Sequence, residues 1–292
     1  MNWTTLDTWI VLAGALICMA CVLPGTFLML NRDSMLGDGI SHAVLPGLAA
    51  AFLITGSRDV LPMLIGGIVA GLLTAGLTQA VQKLGRVENG AALGTVFCAL
   101  FALGLILIRT ASEHVDLDPD CVLYGSIETA VVDVPGVPRV VWTAAALLLG
   151  NLFIVTLLYK ELRLAAFDSA LADTLGFSST LLRLILTASA SVTTVMAFEC
   201  VGSILVIAML IVPAATASLL TRKLHHLILV ALLIAALCAP LGHVSAIVLP
   251  GVVGRVLDLP FTLGATSSAA MMAAVAGGLF AAAAIVARLR RA

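Results

Sequence analysis

Long apolar runs separated by short polar segments account for most of the chain. Each run approaches the roughly 20 residues that an α-helix needs to cross the hydrocarbon core of a bilayer. The runs predict transmembrane helices near residues 9–30, 36–54, 61–82, 90–108, 139–158, 180–199, 200–220, 225–248 and 264–287. The sixth and seventh runs meet within residues 199–202, so these are either two spans joined by a tight bend or one broken element. The pattern predicts an all-α polytopic membrane protein with about nine spans, within a range of eight to ten.

Composition supports the same class of protein. Of the 292 residues, 61% are hydrophobic and only 11% are charged, whereas a soluble domain carries about 25% charged residues. The sequence contains no basic stripe of the kind that binds nucleic acid. It contains neither an internal repeat nor a low-complexity linker, so a single transmembrane domain over residues 1–292 is expected.

Lysine and arginine residues mark one side of the membrane. Ten of the 15 fall on alternate connections, at residues 32, 83–86, 160–163, 222–223 and 288–291. Because cytoplasmic loops carry the excess of basic residues, this pattern predicts an outer N-terminus and a cytoplasmic C-terminus. The acidic loop near residues 109–138 then lies outside, where it is either simply solvated or attracts cations or a binding protein.

An acid and a histidine lie four residues apart inside the second apolar run. Residues i and i+4 share one face of a helix, so Asp38 and His42 present a carboxylate oxygen and an imidazole nitrogen to one cation. Ionisable groups at membrane depth are costly and by default mark an ion or substrate path, and this donor set suits Mn, Fe and Zn. The alternative is that Asp38 caps the helix and His42 bonds a neighbouring carbonyl.

Proline and glycine interrupt or bound several of the runs. Such breaks survive in a membrane only where protein or water satisfies the freed backbone groups. The candidate packing or hinge positions are Pro46, Gly47, Gly202 and Pro213. Gly67 and Gly71 form a G-x-x-x-G pair that allows close helix contact.

Two further ionisable residues lie in or beside apolar runs. Glu199, at the junction of the sixth and seventh runs, is either a gate or pathway ligand or a turn-facing acid in the outer headgroup region. His243 is either a second pathway imidazole or a packing histidine with satisfied hydrogen bonds.

The longest polar stretch on the cytoplasmic side, near residues 160–178, is amphipathic. Its apolar stripe at helical spacing consists of Leu164, Phe167, Leu171 and Leu175. Gly176 can end the helix as a left-handed cap. The stretch either lies on the membrane surface or docks in a groove of a soluble partner. Because the stretch lacks the basic face expected of a helix that binds a lipid surface, we expect it to dock on a soluble partner.

The motif Leu-Gly-Asp-Gly-Ile-Ser-His-Ala-Val-Leu-Pro-Gly at residues 36–47 resembles the permease subunits of manganese, zinc and iron ABC importers. These permeases form the ABC-3 family, which works with cluster A-I metal-binding proteins. The other blocks of the resemblance are residues 86–94, Phe167 and Asp168 with Gly176, residues 198–205 and residues 210–217. The blocks keep the family order and spread over most of the chain.

The resemblance implies a type II ABC importer fold in the cytoplasmic membrane of a prokaryote. Two permease subunits, identical or paralogous, surrounded by lipid, would form the path, and a cytoplasmic ABC ATPase dimer would drive it. Asp38 and His42 match positions associated with metal coordination, and the stretch 160–178 matches the coupling helix. The coupling residues implied are Phe167, Asp168, Ala172 and Gly176.

The cargo implied is a divalent metal ion, Mn²⁺, Zn²⁺ or Fe²⁺, delivered by an extracytoplasmic binding protein, with no permanently bound cofactor. The chain itself is not expected to be an enzyme. Its sequence has no G-x-x-x-x-G-K-[ST] loop, so ATP hydrolysis belongs to a separate chain.

Two other classes of function compete with this interpretation. An ion-coupled secondary transporter or channel predicts inverted internal repeats and gives no role to the stretch 160–178. A non-transporting membrane scaffold predicts that Asp38 and His42 are dispensable.

Overall fold

The computed structural model describes residues 3–31, 33, 35–56, 60–112, 127–132, 136–256 and 266–289. Within those ranges every regular element is a helix. The helices are α1 (Thr5–Leu30), α2 (Met35–Thr55), α3 (Val60–Gly85), α4 (Asn89–Ser112), α5 (Ile127–Ala130), α6 (Arg139–Leu157), α7 (Tyr159–Phe167), α8 (Ser169–Thr174), α9 (Ser179–Leu220), α10 (Leu224–Val256) and α11 (Ser268–Leu289).

Eight stretches of helix in the described residues are long and apolar enough to cross a membrane. They lie in α1, α2, α3, α4, α6, the first part of α9, α10 and α11. A shorter apolar helix, Ile204–Leu220, follows in the second part of α9. These helices confirm the predicted all-α class with eight to ten spans. The prediction succeeds because uninterrupted hydrophobic length decides which segments can cross a membrane.

The sixth and seventh predicted spans are two helices that meet at a kink at Gly202. This glycine has φ 76° and ψ 169° inside α9. A positive φ is the left-handed region that glycine adopts most readily, so the break occurs at the one residue type that tolerates it. The break therefore follows from the local sequence.

The chain divides into two compact units. Unit A comprises residues 1–26, 123–153 and 199–292, and unit B comprises residues 27–122 and 154–198. The single-domain interpretation of residues 1–292 stays a prediction.

Unit B is built around α2. Its buried core consists of Leu28, Leu36, Ile40, Val44, Ala75, Leu93, Ala190 and Val195. Small residues let the backbones approach, as the G-x-x-x-G pair predicts. A β-carbon at Gly71 would overlap the hydroxyl of Ser191, and one at Gly67 would overlap Val195. Glycine on α3 therefore sets its close packing against α9.

Unit A packs α10 against α11 by the same principle. A β-carbon at Gly242 in α10 would overlap the backbone of Met272 in α11. In α6, Asn151 Nδ2 donates to the carbonyl of Ala20 in α1 at 2.9 Å. That bond pairs a buried amide whose desolvation would otherwise be costly.

Candidate functional sites

The pair predicted from the sequence is formed on α2. Asp38 lies in the first turn, and its Oδ1 is 3.5 Å from Nε2 of His42. The side chains of Asp38 and His42 are 46% and 29% exposed. Ile40 and Val44, on the other side of the helix, are fully buried in the core of unit B. The buried face therefore fixes the direction in which the acid and the imidazole point.

Two aromatic rings of α4 hold the imidazole of His42. Phe97 stacks on it with centroids 5.5 Å apart and planes at 29°, and Phe101 meets it edge-on, also at 5.5 Å. Sequence reasoning missed both phenylalanines. The available signal was their own i, i+4 spacing in the fourth apolar run, which places the two rings on one helix face.

The pair is a partial ligand set for a cation. It offers one carboxylate and one imidazole, the donors that manganese, iron and zinc accept. Among the described residues no group of three or more His, Cys, Asp or Glu side chains is placed to hold a metal ion. A cation bound here would need further ligands from water or from another chain.

Several residues singled out in the sequence lie outside what is described. The backbone of Glu199 is part of α9, but its side chain lies outside the described part of the structure. Residues 113–126 and 133–135 of the acidic loop also lie outside the described residues. Glu128, in α5, is described, and its Oε1 accepts the backbone N–H of Ser268 at 2.7 Å.

His243 is buried in unit A, with both ring nitrogens engaged. Nδ1 lies 3.0 Å from the hydroxyl of Ser268, and Nε2 lies 3.1 Å from Oδ1 of Asp7. The indole of Trp3 meets the ring edge-on at 5.8 Å. A metal ion at His243 would have to displace one of these partners. The geometry is that of a packing histidine with satisfied hydrogen bonds.

The amphipathic stretch is two short helices instead of one. Asp168 adopts an extended conformation between α7 and α8, and its Oδ1 accepts the N–H of Leu171 at 2.9 Å. An aspartate that caps the next helix competes with continuation of the preceding one. This cap explains why the helical pattern around residue 168 is interrupted.

The end of α8 matches the predicted left-handed cap. Gly176 has φ 87°, its N–H donates to the carbonyl of Asp173, and the N–H of Phe177 donates to the carbonyl of Ala172. These two bonds form a Schellman motif. The predicted left-handed cap at Gly176 is confirmed.

An apolar stripe remains exposed on the two short helices. Its exposed members are Phe167, Leu171 and Leu175, and Phe177, just after α8, is also exposed. Leu162 and Ala172 face the other way and are buried, which anchors α7 and α8 to unit B. Large exposed apolar patches in soluble parts of a protein commonly mark protein contacts.

A partly buried ion pair that the sequence did not reveal lies close to these helices. Arg183 in α9 pairs with Asp33 in the connection between α1 and α2, 2.8 Å apart. Both residues line a cavity of about 690 Å³ that is also bordered by Phe167 and Ser169. The two charges are 150 positions apart in the sequence, so no local pattern could have paired them.

Comparisons with known proteins place similar sequences among membrane transport subunits. The model of the ABC 3 transport family matches residues 5–263. The manganese transport system membrane protein MntD of Bacillus subtilis (strain 168) is 42% identical over 246 residues, covering 82% of this chain and 83% of that protein. The zinc transport system membrane protein TroD of Treponema pallidum is 37% identical over 209 residues, covering 70% and 57%. The chelated iron transport system membrane protein YfeC of Yersinia pestis is 29% identical over 256 residues, covering 88% and 82%.

A solved structure described as PsaBC from Streptococcus pneumoniae in complex with Fab has a similar fold. Its TM-score is 0.75 at 26% sequence identity, with 96% of this chain and 91% of that chain covered. An inward-facing putative metal-chelate type ABC transporter gives a TM-score of 0.61 at 18% identity and shows the fold alone.

Proposed function

The chain belongs to the ABC-3 transport family, and from this membership we propose that it is the permease subunit of an ATP-driven importer of a divalent transition metal ion. Mn²⁺, Zn²⁺ and Fe²⁺ make up the cargo class. Relatives named for manganese, zinc and chelated iron transport support this class. The Asp38–His42 pair is the observation in this chain that carries the proposal.

In the proposed mechanism, Asp38 and His42 replace part of the hydration shell of the cation inside the path. Phe97 and Phe101 hold the imidazole so that its orientation is set before the ion arrives. A second permease subunit that presents the same two residues would double the ligand set. Few and partial ligands suit a transport site, because an ion held too firmly would not leave.

The cytoplasmic ATPase dimer is proposed to dock on the exposed stripe of α7 and α8. Phe167 and Leu171 supply exposed apolar surface, whereas buried Ala172 and the cap at Gly176 keep the two helices in shape. Asp168 fixes the turn between the helices. This docking requires the stripe to face the cytoplasm, as the alternation of basic connections predicts.

An extracytoplasmic binding protein is proposed to deliver the metal to the outer face. At most sites built from carboxylate and imidazole, raw affinity follows the Irving–Williams order and favours zinc over manganese. Selectivity for a weaker-binding metal must therefore come from geometry and from the protein that delivers the ion. The proposed location is the cytoplasmic membrane of a prokaryote, with the N-terminus outside.

Metal accumulation in cells tests the proposal. Wild type, Asp38→Ala and His42→Ala are compared at matched expression, with the ATPase and binding protein present and with Mn, Zn and Fe supplied separately. We expect both variants to lose uptake of one metal while ATPase binding is retained. His225→Ala, which removes an exposed histidine of α10, is the matched control. Unchanged uptake in both variants would remove the pair from the path.

The same cells distinguish the ion-coupled alternative. A secondary transporter or channel takes up metal when the ATPase subunit is omitted, whereas an ABC permease does not. Uptake that persists without the ATPase would contradict the proposed function.

A further inference from the structure

Helix α8 is clamped to the beginning of α9 by one carboxylate. Oδ1 of Asp173 accepts the backbone N–H of Ser179 at 2.8 Å, and Oδ2 accepts its hydroxyl at 2.9 Å. A negative charge at the N-terminus of a helix is further stabilised by the helix dipole. A displacement of α8 therefore carries the first turn of α9 with it.

One turn further along α9, Arg183 reaches the connection between α1 and α2. It lies four residues after Ser179, on the same helix face. Its Nη2 donates to Oδ1 of Asp33 at 2.8 Å, and the Asp33 side chain is only 4% exposed. Separating the two groups would remove the guanidinium from a buried carboxylate, which is unfavourable.

Asp33 is bonded through its backbone to both neighbouring helices. Its N–H donates to the carbonyl of Leu28 in α1, and its carbonyl accepts the N–H of Leu36 in α2, each at 2.8 Å. Leu36 is buried and lies two residues before Asp38. A displacement of Asp33 therefore reaches the helix turn that carries the candidate metal ligand.

The cavity beside this route leaves α7 and α8 room to move. It measures about 690 Å³ and separates residues of α7 from Gln79 and Gln82 of α3. Protein interiors are otherwise close-packed and transmit displacement through direct contact. The Asp33–Arg183 pair is a direct polar contact at the edge of this space.

We propose that the Asp33–Arg183 ion pair is a positioning contact that passes a displacement of α8 to α2, and so to the Asp38–His42 pair. The inference rests on the proposed function, because an ATPase docked on α7 and α8 supplies the displacement. Neither Asp33 nor Arg183 is proposed to touch the ATPase or the cargo. Their role is to keep ATP hydrolysis coupled to metal movement.

The test uses the permease with its ATPase and binding protein in liposomes, with Mn²⁺, Zn²⁺ and Fe²⁺ as probes. Metal uptake and ATP hydrolysis are measured in the same sample. We expect Asp33→Asn and Arg183→Gln each to lower metal taken up per ATP by about fivefold or more. ATPase binding should be retained, and Arg183→Lys should recover part of the ratio. The double variant should be no worse than the poorer single one, because both remove one contact.

The test also includes a matched control variant and a third variant, at Asp173. Arg139→Gln removes an exposed arginine of α6 and should leave the ratio unchanged. If the Asp33→Asn and Arg183→Gln variants do not fold, Asp173→Asn replaces the exposed carboxylate earlier in the route, and a lowered ratio supports the proposal. A wild-type ratio in Asp173→Asn, or in both Asp33→Asn and Arg183→Gln, overturns it. So does lower expression with an unchanged ratio, which marks a purely structural role.

The failure of the proposed function is a separate result. If the wild-type assembly moves none of the three metals in the presence of ATP, the importer proposal itself fails. If the wild type transports and the variants transport equally well per ATP, only the positioning role of Asp33 and Arg183 fails.

Discussion

Gly47 in α2 and Gly66 in α3 face each other so closely that a β-carbon on either residue would overlap the carbonyl oxygen of the other. The contact is backbone against backbone, so no side-chain rotation can relieve an added methyl group. It holds α2, the helix that carries Asp38 and His42, against its neighbour in unit B. Close approach of this kind is how helices without a hydrophobic driving force pack in lipid.

Gly66→Ala should destabilise the protein by about 1–3 kcal/mol, the usual cost of overpacking a tight contact. The measurement is the thermal unfolding midpoint in detergent. Gly76→Ala is the matched control in the same helix, since a β-carbon there meets nothing within 4 Å. The control should be neutral or slightly stabilising because alanine favours helix. Equal shifts for the two variants would contradict the prediction.

Metal uptake should decrease as the external medium is acidified. An imidazole binds a metal ion only when neutral, so a proton at His42 competes with the cation. His42→Gln should therefore show low uptake with a weaker pH dependence, measured as initial rates of Mn²⁺ or Zn²⁺ entry. His225→Gln should keep the wild-type profile. Parallel profiles for wild type and His42→Gln would exclude His42 as the competing group.

Phe97→Leu should weaken metal binding without abolishing transport. The substitution keeps apolar volume but removes a ring contact worth about 0.5–1.5 kcal/mol. The half-saturating metal concentration should therefore rise about two- to tenfold. Phe153→Leu, at an exposed position of α6, controls for loss of an aromatic ring. An unchanged half-saturation value would show that the stacked ring does not orient His42.

Leu171→Glu should abolish binding of the ATPase, because it places a charge in the exposed apolar stripe of α8. Copurification of the ATPase with the permease provides the measurement, and metal uptake should be lost in parallel. Ser169→Glu is the control and should retain ATPase binding. It adds the same charge two residues away, at the first turn of α8, where the helix dipole favours an acid. Retained ATPase binding in Leu171→Glu would place the docking surface elsewhere.

Local features of this protein were predictable from the sequence, and distant pairings were not. Helix positions follow from apolar length, and the Asp38–His42 contact follows from helical spacing within a single element. The cap at Gly176 was equally local. The Asp33–Arg183 pair and the rings around His42 depend on how separate helices pack, which one sequence without tertiary information does not specify.

The break at Asp168 shows a different reason for error. The apolar spacing of residues 164–175 is compatible with one helix, and periodicity alone indicates continuity. The helix is interrupted because the side chain of Asp168 accepts a hydrogen bond from the backbone of the following turn. Aspartate within an amphipathic stretch is therefore a reason to consider two elements.

The contact between Asp7 and His243 also has an evolutionary consequence. The two residues are 236 positions apart, yet Nε2 of the buried imidazole depends on the carboxylate for its hydrogen bond. A change at one position leaves an unpaired polar group unless the other changes too. In related chains these two positions should vary together, so that the pair is inherited or replaced as a unit.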